Sequence, residues 1–385
     1  MIFMKRWVRI LSVTLVVLLL FPLVCTASTD ASAEMAELPC RSAILMDAQT
    51  GEVLYEQNAD EALPPASVTK VMTLLLVMEA IEQGRIRLSD MVGVSANAAS
   101  MGGSQVFLEE GETMSVEEML KCVIIASAND CAVALAEFVS GSEDSFVAAM
   151  NQRAVELGMK NTHFENTNGL DDTAQNHVTS ARDIAIMSRA LIAHPKILEY
   201  SGIWMDTIRN GEFGLTNTNR LVRYYRGCTG LKTGSTARAG FCITATAERE
   251  GTSLICVIMG AQTRDSRNAA ATKLLDFGFA NYETYRVSGG SCEIPVVGSD
   301  VESIKVTWGD LAVTVRKGGS SRILSERILP ECMQAPLQAG ESVGQIRYSL
   351  DGKEIGITEI LCEREVKKIG FFDLFQKMLA RLFLL

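Results

Sequence analysis

Histidine and closely spaced cysteine are scarce in this sequence, and their scarcity excludes whole classes of site. Only three histidines occur, His163, His177 and His194, and there is no Cys-x-x-Cys motif. Because zinc ions in proteins are held largely by such residues, we expect no zinc site. Positive charge is also in deficit, since 36 Lys and Arg face 46 Asp and Glu, for a formal net charge of −10. An acidic chain of this kind is a poor nucleic-acid binder.

The ten cysteines show no pairing pattern. Nine of them lie beyond residue 27, an odd number, and they are scattered along the chain. Several stand inside apolar runs, as Cys242 and Cys256 do, and cysteine in such a context behaves as a small buried hydrophobe. The pattern therefore argues against a disulfide framework.

The longest predominantly apolar stretch lies near the start of the chain. Lys5, Arg6 and Arg9 precede the apolar residues 10–24, and the small residues of 25–27 follow. This is the layout of a secretory signal peptide, so we predict that residues 1–27 are removed and that the mature protein is exported. Loss of the three basic residues changes the formal charge from −10 to −13.

With 385 residues and 48% hydrophobic content, the chain is long enough for two domains with cores of their own. In the first part, strand patterns stand near both ends and helical patterns fill the middle. Strands are expected at 42–46, 52–58, 231–234, 239–247 and 253–260, and helices at 67–81, 115–125, 130–139, 145–157, 181–192 and 265–279. The economical arrangement is one antiparallel sheet, built by both ends of the domain and packed with helices, an α+β fold.

Beyond residue 285 the sequence changes character. Short alternating runs predict strands at 293–297, 303–308, 311–315, 343–350 and 354–360. Turn signals at Gly309-Asp310 and Asp351-Gly352 separate neighbouring runs. This part is predicted to be a small all-β domain without a catalytic grouping.

The last sixteen residues form an amphipathic stretch. One helical face carries Phe371, Phe375, Met378, Leu382 and Leu385, and nearby basic charge comes from Lys367, Lys368, Lys377 and Arg381. This length is short for a helix that spans a bilayer but suits one that lies in the surface of an anionic membrane. We favour membrane anchoring over the alternative, in which the helix docks on its own protein.

A serine and a lysine stand at the start of the most apolar predicted helix. Pro64 and Pro65 hold the chain extended, and the helix after them is apolar on nearly every side, so it should be buried. Ser67 and Lys70 are three positions apart and share one face. Burial lowers the pKa of a lysine, and a neutral lysine can accept the serine proton. We interpret Ser67 as a nucleophile, although an N-cap serine beside a solvated lysine would give the same short motif.

Two downstream motifs add chemistry to this pair. Ser127-x-Asn129 occupies a predicted helix break, where a hydroxyl can pass on a proton and an amide can bond a peptide or a lysine. Lys232-Thr233-Gly234 lies on a predicted strand that can pair with an extended peptide, and its lysine offers a positive charge to a carboxylate. Singly, each has an ordinary alternative: helix capping for the first and a solvated lysine before a turn glycine for the second.

Together, Ser-x-x-Lys, Ser-x-Asn and Lys-Thr-Gly in this order resemble the motifs of the penicillin-recognising serine hydrolases. From about Ala43 onward the chain is most similar to the low-molecular-mass D-alanyl-D-alanine carboxypeptidases (penicillin-binding protein 5-like, peptidase family S11). The resemblance includes residues 65–73, 127–130, 168–171, 230–236 and 274–279. It implies a β-lactamase/transpeptidase-like domain over 34–284, a β-rich C-terminal domain over 285–362 and an amphipathic membrane-anchor helix over 366–385.

The resemblance also implies a role for each site residue. Ser67 would form an acyl-enzyme with the penultimate D-alanine, Lys70 would accept the serine proton, and Ser127 would relay a proton to the departing D-alanine. The substrate-binding residues would be Asn129, Lys232, Thr233, Gly234 and Ser235. The backbone N–H groups of Ser67 and Ser235 would hold the oxyanion. The family needs no metal or organic cofactor.

The implied substrate is the pentapeptide stem of peptidoglycan, and the implied inhibitors are β-lactams that acylate Ser67. The family works at the outer face of the cytoplasmic membrane, in the cell wall space, and is not expected to bind nucleic acid. His177 lies in the resembling region and could be a general base, but we expect a structural loop histidine.

Three other functions share part of this pattern. A class A β-lactamase needs a Glu-x-x-Leu-Asn motif between the second and third motifs, and none occurs between Asn129 and Lys232. A transpeptidase would share the acylation step and differ only in the acceptor. A non-catalytic wall-binding or regulatory protein would be expected to have lost a catalytic residue, whereas all are present here.

Overall fold

The computed structural model describes residues 35–171 and 174–383, so the predicted signal peptide and Leu385 of the predicted apolar face lie outside the described residues. From Leu38 onward the described chain forms one compact unit. Its strands up to residue 261 are β1 (Ser42–Asp47), β2 (Val53–Gln57), β3 (Met91–Gly93), β4 (Thr113–Ser115), β5 (Met205–Ile208), β6 (Phe213–Thr216), β7 (Cys228–Thr236), β8 (Gly240–Arg249) and β9 (Thr252–Ala261). Those that follow are β10 (Tyr282–Val287), β11 (Gly290–Val297), β12 (Ser303–Trp308), β13 (Leu311–Arg316), β14 (Ile323–Ile328), β15 (Met333–Gln334), β16 (Ser342–Leu350) and β17 (Lys353–Cys362).

The helices are concentrated between β2 and β7. They are α1 (Lys70–Glu82), α2 (Ala96–Ala99), α3 (Val116–Lys121), α4 (Asn129–Ser140), α5 (Glu143–Glu156), α6 (Ala181–Ile192), α7 (Pro195–Ser201), α8 (Leu221–Tyr224), α9 (Arg264–Asn281) and α10 (Phe371–Phe383). A 3₁₀ turn, Ala66–Thr69, leads into α1, and a π-helical turn, Cys122–Ala126, follows α3.

The central sheet has the strand order β2-β1-β9-β8-β7, and every neighbouring pair is antiparallel. The prediction that both ends of the domain build one sheet is therefore confirmed. The last strand in this order, β7, carries Lys232-Thr233-Gly234 at the edge of the sheet. An edge strand leaves one row of backbone groups free to pair with an extended ligand.

Helices cover both faces of this sheet because successive side chains of a buried strand point to opposite sides. Ile44 and Met46 of β1 belong to the large core that also contains α1, α4 and α6. Between them, Leu45 faces α9, where a Cβ added to Gly278 would lie 2.8 Å from its side chain. All six residues of β1 are buried as a result.

The helix after the two prolines is buried, as its composition predicts. Ten of the thirteen residues of α1 are buried, Lys70 among them. Its neighbours in the core include α4, α6 and the π-helical turn. Because α1 is enclosed by apolar side chains, any charge at its first turn loses its solvation.

The C-terminal part is the predicted all-β unit. Its main sheet has the order β14-β16-β17-β12-β11-β15, and β10 pairs with β13 in a separate two-stranded ribbon. The predicted boundary at 284/285 falls inside β10. This part meets the central sheet through Thr50 Oγ1 and Thr314 Oγ1, 2.7 Å apart, and through Thr284 Oγ1, which donates to Asp47 Oδ2 over 2.6 Å.

The amphipathic tail forms the expected helix, α10, and leaves its apolar residues in solvent. Phe371, Phe372, Met378 and Leu382 are each at least 65% exposed. Within 35–171 and 174–383, no helix combines the length and the apolar character needed to cross a membrane.

Several short elements were missed from the sequence. They are the paired strands β3 and β4, the hairpin β5–β6, helices α2, α7 and α8, and strands β10, β14 and β15. Half of β5 and most of β14 are exposed, so neither strand has the clean alternation by which a half-buried strand is recognised. No disulfide joins any of the nine cysteines of the described residues.

Candidate active site

The predicted nucleophile precedes the α-helix instead of opening it. Ser67 lies in the 3₁₀ turn Ala66–Thr69, and α1 starts only at Lys70. Ala66 has a positive φ of +49°, which is uncommon for a residue with a Cβ. Backbone of this kind persists only where surrounding contacts hold it, and such contacts cluster at functional sites.

Lys70 Nζ is surrounded by three oxygen atoms. It lies 3.0 Å from Ser67 Oγ, 2.5 Å from Asn129 Oδ1 and 2.7 Å from the carbonyl oxygen of Asn168. The side-chain amide of Asn129 has a fixed orientation because its Nδ2 donates to the carbonyl of Gly102 over 2.7 Å. Its oxygen therefore faces the lysine.

These contacts decide where the lone pair of a neutral Lys70 points. Asn129 Oδ1 and the Asn168 carbonyl can only accept hydrogen bonds, so they take both N–H groups of an uncharged amine. The remaining partner is Ser67 Oγ, toward which the lone pair is directed. The serine hydroxyl then donates to the amine, which is the geometry of a nucleophile and its base.

The electrostatic surroundings favour that neutral amine. Lys70 is fully buried, and burial lowers its pKa well below 10.5. The positive charge of Lys232 lowers the pKa further, whereas Asp130 opposes the shift. A lysine that loses its proton more readily can act as a base near neutral pH.

Ser127 contacts the second lysine, Lys232. It lies between the π-helical turn and α4 with a left-handed backbone, φ +65°. Its hydroxyl lies 2.9 Å from Lys232 Nζ, which also donates to the carbonyl of Thr233 over 2.7 Å. Burial lowers the pKa of Lys232 to about 7, with a smaller contribution from Arg267.

The edge strand β7 lies directly against the nucleophile turn. A Cβ added to Gly234 would stand 2.7 Å from the backbone nitrogen of Ser67, so this approach requires glycine. Thr233 Oγ1 donates to Thr218 Oγ1 over 2.9 Å. Ser235 follows on the same strand and lines the same cavity as Ser67. The three predicted motifs are therefore brought together.

His177 supports this turn from behind. The backbone N–H of Glu165 donates to its Nδ1 over 2.9 Å, so the proton of the neutral ring is on Nε2. Nε2 then donates to Thr69 Oγ1 over 2.7 Å, and that hydroxyl donates to the carbonyl of Ala66 over 2.8 Å. Burial lowers the pKa of His177 to about 4. Both ring nitrogens are engaged in hydrogen bonds within the protein, so His177 is not placed to act as a general base. This agrees with the structural role expected.

An open cavity of about 560 Å³ borders the nucleophile turn and β7. Ser67, Ser127, Thr233, Gly234 and Ser235 contribute to its wall. The other lining residues are Ser104, Trp204, Thr216, Asn217, Thr218, Arg220, Tyr224, Arg264 and Arg267. In the described part of the chain, no group of three His, Cys, Asp or Glu residues could hold a metal ion.

Sequence reasoning did not assign the contacts of Asn168, Thr69 and Thr218. Asn168 acts through its backbone carbonyl, which carries no side-chain signal. The one available hint was Asn168-Gly169, a dipeptide typical of a turn, and Gly169 has φ +84°. A turn of that kind can present backbone carbonyls to a neighbouring helix.

Comparison with known proteins agrees with this arrangement. A model of the family described as D-alanyl-D-alanine carboxypeptidase matches residues 28–263. The chain belongs to this family. A second model, the C-terminal domain of penicillin-binding protein 5, matches residues 292–368.

Individual relatives extend the agreement along most of the chain. The D-alanyl-D-alanine carboxypeptidase DacF of Bacillus subtilis is 41% identical over 348 residues, which cover 88% of this chain and 89% of that protein. Penicillin-binding protein 5 of Haemophilus influenzae has a solved structure with a TM-score of 0.75 and 33% identity, over 87% of this chain and 99% of the other. The ampicillin-bound structure of penicillin-binding protein D2 from Listeria monocytogenes has a TM-score of 0.59 and 33% identity, over 64% and 99% of the two chains.

Proposed function

We propose that this family member is a serine-type D-Ala-D-Ala carboxypeptidase that removes the terminal D-alanine from peptidoglycan stem pentapeptides. Ser67 is the acylated nucleophile, Lys70 its base and Ser127 the proton relay. The substrate-binding residues are Asn129, Lys232, Thr233, Gly234 and Ser235. The observation that carries this proposal is the position of Lys70 Nζ, 3.0 Å from Ser67 Oγ and in contact with two oxygens that can only accept hydrogen bonds.

In the acylation step, the acyl group of the penultimate D-alanine is transferred to Ser67 Oγ. As Ser67 Oγ bonds to the penultimate carbonyl carbon, its proton moves to Lys70 Nζ. The amide C–N bond breaks, and the leaving amine takes the proton that Lys70 accepted, relayed through Ser127, whose hydroxyl lines the substrate cavity and contacts Lys232 Nζ. Water then attacks the ester, which releases the shortened peptide and restores the serine. Both halves need general acid–base catalysis, which two neighbouring buried lysines with lowered pKa values can support.

The edge strand β7 binds the substrate. An extended peptide can pair with β7, which places its carbonyl beside the turn that holds Ser67. The backbone N–H groups of Ser67 and Ser235 stabilise the negative charge on that carbonyl oxygen in the transition state. Lys232 and Thr233 bind the terminal carboxylate.

A β-lactam acylates Ser67 by the same reaction. Its strained amide meets Ser67 as the peptide does, and the resulting ester hydrolyses slowly. The ampicillin-bound structure of the Listeria relative supports β-lactam binding by this fold.

The organisation of the chain follows the same proposal. Residues 1–27 are a signal peptide, 34–284 the catalytic domain and 285–362 the β-rich domain, and the protein acts outside the cytoplasmic membrane. The family matches over 28–263 and 292–368 support a two-domain division. The exposed apolar residues of α10 support an anchor, over 366–385, that lies in the membrane surface.

The direct test is mass spectrometry of a synthetic stem pentapeptide ending in D-Ala-D-Ala. The mature protein should shorten it by one alanine, and Ser67→Ala should abolish this loss. Labelled penicillin run in parallel should give a long-lived adduct with the wild-type protein. Rapid turnover of the drug would instead indicate a β-lactamase, and absence of both products would indicate a binding protein.

A further inference from the structure

Three arginines line the active-site cavity, and the proposed mechanism uses none of them. Arg220, Arg264 and Arg267 all contribute to the wall that includes Ser67 and β7. They come from separate parts of the chain: Arg220 directly precedes α8, and the other two lie in the first turn and a half of α9. Their convergence makes this end of the cavity strongly positive, although the whole chain is acidic.

The three side chains differ in their surroundings. Arg267 is 3% exposed and donates to Asn268 Oδ1 over 2.9 Å. Arg220 and Arg264 are exposed, and among the described residues neither guanidinium has a hydrogen bond or an ion pair. Two fork-shaped donors without a protein partner therefore border the space where substrate binds.

The arginines are close enough to influence one another. Burial lowers the pKa of Arg267 to about 10, and the positive charges of Arg264 and Arg220 add to the effect, while Asp265 opposes it. The N-terminal end of α9 contributes further positive potential, because its first backbone N–H groups lie there. Such a field attracts an anionic group.

This field surrounds the part of β7 that is proposed to hold the terminal carboxylate. Arg267 also acts electrostatically on Lys232, and its Nη1 donates to the carbonyl of Cys242 over 3.4 Å. Cys242 pairs with Gly234 across the sheet. Arg220 follows two residues after Thr218, the hydrogen-bond partner of Thr233. The side chain next to a carboxylate held by Lys232 and Thr233 is that of the C-terminal residue, the leaving group.

We propose that Arg220 and Arg264, backed by Arg267, form a subsite for a second carboxylate, carried by the side chain of the leaving residue. This inference rests on the proposed function, since it assigns the residue that departs. The enzyme then releases an acidic D-amino acid, such as D-glutamate, from a D-alanyl bond more readily than its neutral amide. Water cleaves the same C–N bond as before, so the chemistry of acylation and hydrolysis is unchanged.

Three N-acylated peptides test the subsite on the mature full-length protein. They end in D-Ala-D-Ala, D-Ala-D-Glu and D-Ala-D-Gln, and the last two have the same shape but differ in charge. At low ionic strength, kcat/KM for the D-Glu peptide should be at least ten times that for the D-Gln peptide. In the double variant Arg220→Gln/Arg264→Gln, this ratio should fall to within about twofold of one. Both positions are exposed, so the double variant should fold.

Arg226→Gln is the matched control, since Arg226 is also exposed and lines a separate cavity. It should keep the wild-type ratio. A wild-type ratio near one would overturn the subsite, as would an equal loss on the D-Glu and D-Gln peptides in the double variant, because the arginines would then serve the terminal carboxylate. Failure to release D-alanine from the D-Ala-D-Ala peptide would instead overturn the proposed function itself.

Discussion

At the scale of single residues, the site depends on two buried lysines, Lys70 and Lys232, whose positive charges repel each other. In the proposed mechanism Lys70 must be neutral to accept the serine proton, and both its burial and the charge of Lys232 promote that state. Lys232 is buried as well and contacts Ser127. The two motifs that supply them are 162 positions apart but are coupled through charge.

This coupling predicts a shift in the pH dependence of acylation. Acylation should rise with pH as Lys70 loses its proton. Lys232→Gln removes a positive charge that lowers the pKa of Lys70, so the rising limb should move to higher pH by about one unit or more. The rate constant of labelling by penicillin, measured against pH, checks this. Lys232→Arg keeps the positive charge, so its acylation rate constant should rise over the same pH range as in the wild type. If the rise in Lys232→Gln is not shifted, the two lysines are not coupled.

His177 predicts a separate effect on stability. Its folded pKa of about 4 lies below the usual 6.5, so the folded state favours the neutral ring. Above pH 6.5 the His177 ring is neutral in both the folded and the unfolded state, so this group does not lower the free energy of unfolding. Between pH 6.5 and 4 only the unfolded state gains the proton, and the free energy of unfolding should fall by roughly 3 kcal/mol from this group. Urea unfolding at pH 7.5 and 4.5 measures the fall, and His177→Gln should show a fall smaller by a similar amount. An equal fall in both proteins would contradict this assignment.

The site residues with reactive side chains could be predicted from the sequence, and the residues that position them could not. Ser67, Lys70 and Lys232 stand in short motifs whose chemistry is recognisable. Asn168 contributes a backbone carbonyl, and Thr69 contributes a hydroxyl that bonds His177 from a distant loop. Contacts of this kind depend on tertiary structure, and spacing along the chain carries no sign of them.

At the scale of elements, the nucleophile turn and the loop that contains Gly169 form one unit. This loop bonds Lys70 through the carbonyl of Asn168, and Thr73 Oγ1 donates to the carbonyl of Thr167 over 2.6 Å. Gly169 packs so closely that a Cβ there would lie 1.9 Å from the Ala66 carbonyl oxygen. The unusual backbone before Ser67 is therefore held by the loop as well as by Thr69.

A pair of glycine substitutions tests this packing. Gly169 and Gly158 both have positive φ, +84° and +76°, but nothing lies near a Cβ added to Gly158. Gly158→Ala should lower the free energy of unfolding by only about 1 kcal/mol, the strain of an alanine at positive φ. Gly169→Ala should displace the Ala66 carbonyl, destabilise the protein by about 3 kcal/mol or more and slow penicillin labelling at least tenfold. Thermal unfolding and labelling rates of the folded protein give the two readouts; equal behaviour of the variants would contradict the proposed support.

Elements with strong periodicity were predicted well, and irregular ones were not. Helix α6 has the predicted bounds, and α1 and the five strands of the central sheet lie close to theirs. The start of α1 differs, because Ala66 and Ser67 adopt a 3₁₀ turn that only tertiary contacts stabilise. The π-helical turn before Ser127 replaces the last predicted turn of α3 for the same reason.

At the scale of the whole molecule, α10 leaves its large apolar side chains, where the structure describes them, exposed to solvent. Phe371 is 78% exposed and Leu382 75%, and Lys367 and Lys368 precede the helix. An exposed apolar face beside basic residues suits the interface of an anionic membrane. The sequence predicted the helix and its faces, but an amphipathic pattern alone does not identify what covers the apolar face.

Vesicle sedimentation tests the proposed anchor. The mature protein should pellet with vesicles that contain anionic lipid, and Phe371→Asp/Phe375→Asp should remove most of the bound fraction by replacing buried apolar area with charge. Leu324→Asp is the control, because Leu324 is 71% exposed on β14, away from the tail helix in sequence. Equal binding by the wild type and the tail variant would exclude the anchor.

The central claim is that Ser67, activated by a neutral Lys70, is the acylated residue. Digestion with trypsin after penicillin treatment should yield residues 42–70 as one peptide, since cleavage is expected after Arg41 and Lys70. Tandem mass spectrometry should place one added drug mass on Ser67, and Lys70→Met should lose the adduct although its serine is intact. An adduct on any other residue, or undiminished labelling of Lys70→Met, would contradict the claim.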